Sequence, residues 1–340
     1  MATMENLEQI QQTLSQVDAR IPGALRIALG ISYRQVAFAP APASSAGQAA
    51  ADTVRFAASL LQQPPPLPAT ADVVPEAGEA GGLPAEAEAE PKNAAPARRL
   101  RIRYGSCYVP RHDHDAHFGH ADAGVLGVAD GVGSYMKLGV DAGAFSRRLM
   151  ANALAQVVAA VGEEEGDAAA GRTPVVFPYA LLKKAFEKTA ASGAPGASTA
   201  AIVSLAGGKD LKWAYIGDSG FAVLRGGRIV FRSKPQRHSR NTPFQLSAAS
   251  KTSDGVALAR AGQIAARDGD VVVVGTDGLF DNVSDTQLQH AVQIGTKLGF
   301  SAKNLADILA GVAYEVSKRT RMGKPDDITV LVAFVVQSDS

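Results

Sequence analysis

Three short stretches place aspartates at the ends of apolar runs: VADGVG at 128–133, GTDGLFDN at 275–282 and KPDDITV at 324–330. A carboxylate at the end of a buried strand has a rigid mount behind it, and a glycine after it lets a metal ion or its water come close to the backbone. Asp-Gly by itself is a common turn and carries little. Three such turns beside long Val/Ile runs point to one shared acidic site, provided the fold brings them together. Gathered carboxylates repel one another, so the site needs cations to be stable. All-oxygen ligation selects hard ions, magnesium or manganese, over zinc. Two such ions would bind a phosphate and sharpen the acidity of a water between them, which points to hydroxide attack on phosphorus.

The elements that must hold these residues are patterned from Leu100 onward. LRIRYGSCY alternates apolar and polar residues as a strand does, and AGVLGVAD is a second apolar strand ending in an acidic turn. Helical spacing runs over 141–161 and 177–192, separated by the polar loop EEEGDAAAGRTP. STAAIVSLA, LKWAYIG, GFAVLRG and RIVFRS read as consecutive antiparallel neighbours, with Gly226 and Gly227 making a hairpin turn. DVVVVGTD follows, then helices near 284–298 and 301–318, then the strand ITVLVAFVV. Strands in groups and helices in pairs predict an α+β fold of sheets covered by helix layers, not strict strand-helix alternation.

Ahead of this domain the sequence has a different character. Leu7, Ile10, Leu14 and Val17 have the spacing of a short amphipathic helix over 4–19. Beyond residue 37, Ala, Pro, Gly and Glu dominate up to about residue 98 and bury too little apolar surface to order. The expected organisation is an N-terminal segment at 1–37, a disordered linker at 38–99 and a catalytic domain at 100–340. The formal net charge of +1 supplies no field for nucleic acid or an anionic membrane, so a partner must be recognised by a site. A monomer is expected. The lone Cys107 excludes an internal disulfide and reads as a small hydrophobe in a strand. No run of about 18 apolar residues predicts a membrane span. Glu5 and Glu8 do not fit a secretory signal. Arg20, Arg26 and Arg34 fit an organelle transit peptide while Glu5, Glu8 and Asp18 oppose one, which leaves chloroplast, mitochondrion and cytoplasm open.

Taken in order, VADGVGSY, GASTA, YIGDSG, TDGLFDN and PDDITV resemble the metal-dependent type 2C protein serine/threonine phosphatases over roughly residues 100–337. GVDAGAFSRRLM, GDSGFAVLRGGRIVFRS and RNTPFQLS are similar to the short, often organelle-located branch of that family. The resemblance implies two packed antiparallel sheets flanked by antiparallel helix pairs, a four-layer sandwich with two metals in a cleft at one end. It implies hydrolysis of phosphoserine and phosphothreonine in proteins by activated water, with no covalent intermediate. Carried over by position, Asp130 bridges both metals, the Gly131 carbonyl binds one, and Asp277 and Asp326 complete the other's shell. Asp327, a position often asparagine in the family, orients its neighbour. Asp218 and Asp281 match positions that hold a weaker third metal in some relatives, and for Asp218 a simple turn role stands beside that reading. Ser198 and Thr199 read as packing beneath the site.

The sequence also departs from the family pattern. Where an acidic pair precedes the first Asp-Gly turn, DHDAHF has His114 in place of the glutamate and keeps Asp115. Val132 stands where the familiar form has a histidine that protonates the leaving group, as is common in the short branch. Arg111 is near a phosphate-binding position, with a spacing to Asp115 one residue short. His112, His114, His117 and His120 match no strong zinc spacing. Arg237, His238 and Arg240 read either as a basic rim for a phosphopeptide or as a solvated loop. A scaffold that keeps the fold without turnover is the competing function, and the intact set Asp130, Asp277 and Asp326 argues against it. Hydrolysis of a small phosphate ester is left open.

Overall fold

The computed structural model describes residues 99–166, 175–239, 241–249, 253–319 and 323–338. The helix at 4–19, nearly all of the 38–99 linker and Arg240 lie outside them. In chain order the strands are β1 (Leu100–Val109), β2 (Asp115–His120), β3 (Val125–Asp130), β4 (Ala197–Ser198), β5 (Ala200–Ala206), β6 (Asp210–Ile216) and β7 (Gly220–Arg225). They continue with β8 (Arg228–Arg232), β9 (Arg237–Ser239), β10 (Thr242–Pro243), β11 (Leu246–Ser247), β12 (Arg260–Ala265), β13 (Val271–Gly275) and β14 (Ile328–Gln337). The helices are α1 (Gly143–Gly166), α2 (Pro178–Ala191), α3 (Asp277–Phe280), α4 (Asp285–Lys297) and α5 (Ala302–Ser317).

Two five-stranded antiparallel sheets result, ordered β1-β14-β13-β7-β8 and β12-β6-β5-β3-β2. Their apolar strands bury both faces, so alternate residues enter different layers. Val272 and Val274 of β13, with Leu331 and Ala333 of β14, fill the space between the sheets against Val128, Val203, Trp213 and Phe221. Val271 and Val273, with Val330 and Val332, point the other way onto Leu288, Leu305, Leu309 and Val312 of α4 and α5. On the second sheet Val125, Ala129, Ala200 and Ile202 meet Phe145, Leu149, Leu181 and Leu182 of α1 and α2. The expected four-layer sandwich is what forms, with Trp213 buried between the sheets and its ring tilted against that of Phe231 at a centroid distance of 4.3 Å.

The strand grouping expected over 198–233 needs one correction. β5 pairs with β6 and β7 pairs with β8 through the Gly226/Gly227 hairpin, but β6 and β7 are not neighbours. At Gly217 (φ 91°) the chain leaves one sheet, and it enters the other at Gly220. β6 instead pairs with β12, a strand whose mostly exposed residues give no apolar alternation to read. β2 was also not read as a strand, because the short DAHFGH has only Phe118 as a large apolar residue.

Pairing puts the functional turns at one end of the sandwich. Gly275 at the end of β13 faces Gly220 at the start of β7 and Val330 near the start of β14, while Asp115 and Asp130 are register partners. The opposite end carries a buried ion pair. Asp270 is fully buried, accepts Arg225 Nε and Nη2 at 2.8 Å each, and also accepts the Arg267 backbone N–H at 2.9 Å. Removing the carboxylate strands a partly buried guanidinium and an amide, so Asp270→Ala is expected to lose about 2–4 kcal/mol in denaturant unfolding. Activity per folded molecule is expected to be unchanged, since the pair lies away from the acidic end. An unchanged midpoint would show that solvent replaces the pair.

Candidate active site

Asp115, at the start of β2, is a buried acid held from the other sheet. Its Oδ2 accepts Thr276 Oγ1 at 2.8 Å and Thr329 Oγ1 at 2.7 Å, both from the other sheet, while Oδ1 is buried with no hydrogen-bond partner. Across the register, Asp130 ends β3 half-buried, its backbone N–H donating to Thr199 Oγ1 at 3.2 Å. Burial pushes both carboxyls well above the ordinary carboxylate range. For Asp130 the neighbouring Asp115, Asp277, Asp326 and Asp218 add to the rise, whereas the two threonine hydroxyls counter it at Asp115.

Asp277 opens α3 and Asp281 follows one turn later, its N–H bonded to the Asp277 carbonyl at 2.7 Å, so both carboxylates share a helix face. Lys324 Nζ sits among them, ion-paired with Asp277 Oδ2, 3.1 Å from Asp281 Oδ2 and 3.9 Å from Asp326 Oδ2. Asp277 Oδ1 is buried and unpartnered. Burial and Asp277 push Asp326 up to about 6, against the pull of Lys324. Asp218, 7% exposed in the turn between the sheets, accepts Arg237 Nε at 2.7 Å and leaves Oδ1 buried and unpartnered. Arg237 Nη2 also reaches Asp281, at 2.9 and 3.1 Å. The sequence reading assigns Lys324 no role, and it gives Arg237 either a phosphopeptide rim or a solvated loop, not a bridge between two carboxylates. The only local signal is that Lys324 lies two residues before Asp326.

Asp327 behaves differently from its neighbours. Its N–H donates to Asp326 Oδ1 at 3.0 Å, which does orient that carboxylate. Its own oxygens accept four successive amides: Arg111, His112 at 2.8 Å, Asp113 at 3.2 Å and His114 at 2.7 Å. Burial works against the charge, but these donors outweigh it and hold its pKa below the ordinary value. Arg111 thus joins the site through its backbone, with an exposed residue surface. The nest fixes His114, which is buried and stacked 5.4 Å from His112. His117 packs edge-on against Tyr108, and His120 Nδ1 accepts the Ala123 N–H.

The glycines after Asp130 and Asp277 also have a packing role. A Cβ on Gly131 would lie 2.2 Å from the Ala142 carbonyl oxygen, and one on Gly278 would lie 1.9 Å from that of Asp327. Packing of backbone on backbone therefore requires both. Ser198 and Thr199 are buried as packing residues; Thr199 Oγ1 is 2.7 Å from Ser219 Oγ.

The donor set suits hard divalent cations: all oxygen, mostly buried, with Asp115, Asp218 and Asp277 each holding back one unpartnered oxygen. Among the described residues, no three His, Cys, Asp or Glu side chains converge on one point as they stand. Lys324 and Arg237 pair with Asp218, Asp277 and Asp281 instead.

No protein-family model matches the chain. Individual proteins do. Protein phosphatase 2C 24 of Oryza sativa subsp. japonica is 45% identical over 351 residues, covering 98% of this chain and all of that one. The Homo sapiens protein phosphatase PTC7 homolog is 35% identical over 269 residues, covering 71% of this chain and 84% of that one. Among solved structures, the photosystem II phosphatase PBCP superposes with a TM-score of 0.56 at 29% identity, over 70% of this chain and 99% of that one. The catalytic domain of PstP, solved with two manganese ions, shares the fold at 21% identity and a TM-score of 0.50, over 70% of this chain and all of that one.

One prediction comes from the Asp327 nest. Asparagine keeps the shape but has one acceptor oxygen for four amides and no charge, so Asp327→Asn is expected to lose about 2–4 kcal/mol of stability. The check is equilibrium unfolding together with hydrogen exchange at residues 111–114. Unchanged protection of those amides would refute the nest.

The motif order, the four-layer sandwich, the acidic end and the match along the whole length to the rice relative lead to one assignment: the chain belongs to the protein phosphatase 2C family, metal-dependent hydrolases that remove phosphate from serine and threonine in proteins.

Proposed function

We propose that Asp130, the Gly131 carbonyl, Asp277 and Asp326 hold two divalent ions, with Asp130 between them and Asp115 beside it. The observation that carries this reading is the pair of buried, unpartnered oxygens, Asp115 Oδ1 and Asp277 Oδ1, on two carboxylates whose charges both act on Asp130. A buried polar atom without a partner is costly, and a cation satisfies it. Bound ions of this type make water a competent nucleophile near neutral pH and hold the phosphate oxygens.

The chain's own residues support attack by water. The hydroxyls of Ser198, Thr199 and Ser219 are buried and engaged with one another or with backbone, so none is offered as a nucleophile. Thr276 and Thr329 fix Asp115, and the Asp327 nest fixes the turn that leads into it. Val132 supplies no proton to the leaving group. Magnesium and manganese both suit the oxygen set.

The substrate is a phosphoprotein, met by a monomeric catalytic unit from about residue 100. The +1 net charge gives nucleic acid no purchase. The PTC7 and PBCP matches cover 71% and 70% of the chain, consistent with a catalytic part that excludes the N-terminal segment. The similarity to the photosystem II phosphatase PBCP favours an organelle among the three compartments.

Asp130→Asn tests the central role. Turnover of a phosphothreonine peptide is expected to fall by orders of magnitude. Without metal the variant is expected to be as stable as wild type or slightly more so, because one member of a repelling cluster is neutralised. With manganese, wild type gains in melting temperature and the variant gains much less. Near-normal turnover with a full manganese shift would reduce the DGVG segment to an ordinary turn. Separately, removing residues 1–98 is expected to leave cooperative melting and peptide hydrolysis nearly intact. Loss of the cooperative transition would place part of the core in the extension.

A further inference from the structure

Asp218 and Asp281 are the positions that would carry a third ion, and the structure puts a side chain between them. Arg237 donates Nε to Asp218 Oδ2 at 2.7 Å and Nη2 to both oxygens of Asp281, at 2.9 and 3.1 Å. Three of the four carboxylate oxygens are thereby taken by one guanidinium. Lys324 adds a second positive charge 3.1 Å from Asp281 Oδ2. A divalent ion entering here would have to displace the guanidinium from both carboxylates and sit beside the ammonium.

Arg237 is not a loosely placed surface residue. It opens β9, which pairs with β10. The preceding Gln236 is bonded by its N–H to the Gly217 carbonyl at 2.8 Å, one residue before Asp218, and accepts the Phe244 N–H at 2.9 Å. Gln236 Nε2 also donates to the Leu258 carbonyl at 2.8 Å. The backbone is therefore tied to the same turn that carries Asp218, which presets the fork of the guanidinium. Arginine keeps its charge at any working pH, so the position cannot be vacated by deprotonation.

We infer that Arg237 is this chain's built-in substitute for a third metal, so that the site takes two divalent ions and closes the Asp218/Asp281 position with its own cation. The inference rests on the two-metal reading above. It makes Arg237 a positioning residue: it neutralises Asp218 and Asp281 whether or not metal is present, and so stabilises the carboxylate arrangement before any ion arrives.

Manganese binding to the full-length chain tests it, counted by equilibrium dialysis and by the loss of the free-ion electron paramagnetic resonance signal up to millimolar manganese. Wild type is expected to bind two ions. Arg237→Gln, which removes the charge and keeps a polar side chain, is expected to bind three, the last weakly, and to show a larger manganese-induced rise in melting temperature than wild type. Arg237→Lys, which restores the charge, is expected to return to two, as is the double variant Asp218→Asn with Arg237→Gln. Three ions on wild type, or two on a folded Arg237→Gln chain, would overturn the inference while leaving the two-metal site standing. No ion on wild type would overturn both. Should Arg237→Gln fail to fold, Arg237→Lys binding three ions would overturn it, and two ions on Arg237→Lys with manganese rescue of Arg237→Gln folding would support it.

Discussion

Seven aspartates face one end of a small sandwich, and the rest of the structure is arranged so that their charges can coexist there. The devices differ from group to group. Asp327 stays charged because four backbone amides converge on it. Asp218 and Asp281 share a guanidinium, and Asp277, Asp281 and Asp326 share an ammonium. Asp115 and Asp130 have neither, and burial drives their carboxyls toward the protonated form. The unmet electrostatic demand therefore centres on the Asp115/Asp130 pair and the free oxygen of Asp277, where the proposed ions would relieve it.

The devices come from both sheets, so the site and the sheet packing are one problem. Asp115 and Asp130 belong to the sheet ending in β2, whereas Thr276, Thr329, Asp277, Asp326 and Asp327 flank strands of the other. Thr276 shows how closely the two are joined. Its hydroxyl donates to Asp115 across the interface and accepts the Thr329 N–H within its own sheet. A shift of one sheet against the other would break the threonine bonds and the Asp327 nest together.

Much of this was legible in the sequence because the signals were strong and local. The runs of Val271–Val274 and of β14 could only be strands buried on both faces, and the acidic turns at their ends were visible as repeats. What was not legible depended on distant pairing. Nothing local says that the turn at Gly217 leaves one sheet for another, since strands separated by a short polar turn ordinarily pair as a hairpin. β12 escaped notice because an edge strand with exposed faces needs no apolar alternation. Lys324 and Arg237 escaped for an energetic reason: a cation's default is solvent, and only the three-dimensional gathering of carboxylates makes burial favourable. Asp327 was read as acting on Asp326 alone, because its amide partners lie more than 200 residues away in the chain.

The opposite ends of β7 and β13 show how one fold separates stability from chemistry. At Arg225 and Asp270 a buried carboxylate is fully paired, by a bidentate guanidinium and a backbone amide. At the other end of β13 the Asp277 carboxylate is only half paired, with one oxygen on Lys324 and the other buried and unpartnered. The strands between are the same, so the difference lies in the turns alone. A fully satisfied pair has nothing further to gain from a ligand, whereas a half-satisfied one stores a cost that a cation can relieve. The relief is available only in the folded chain, where both sheets present their carboxylates at once, so ion binding must pull on the same equilibrium that holds the sheets together. Incomplete pairing at one end of the sandwich is thus what couples metal occupancy to the stability of the whole domain.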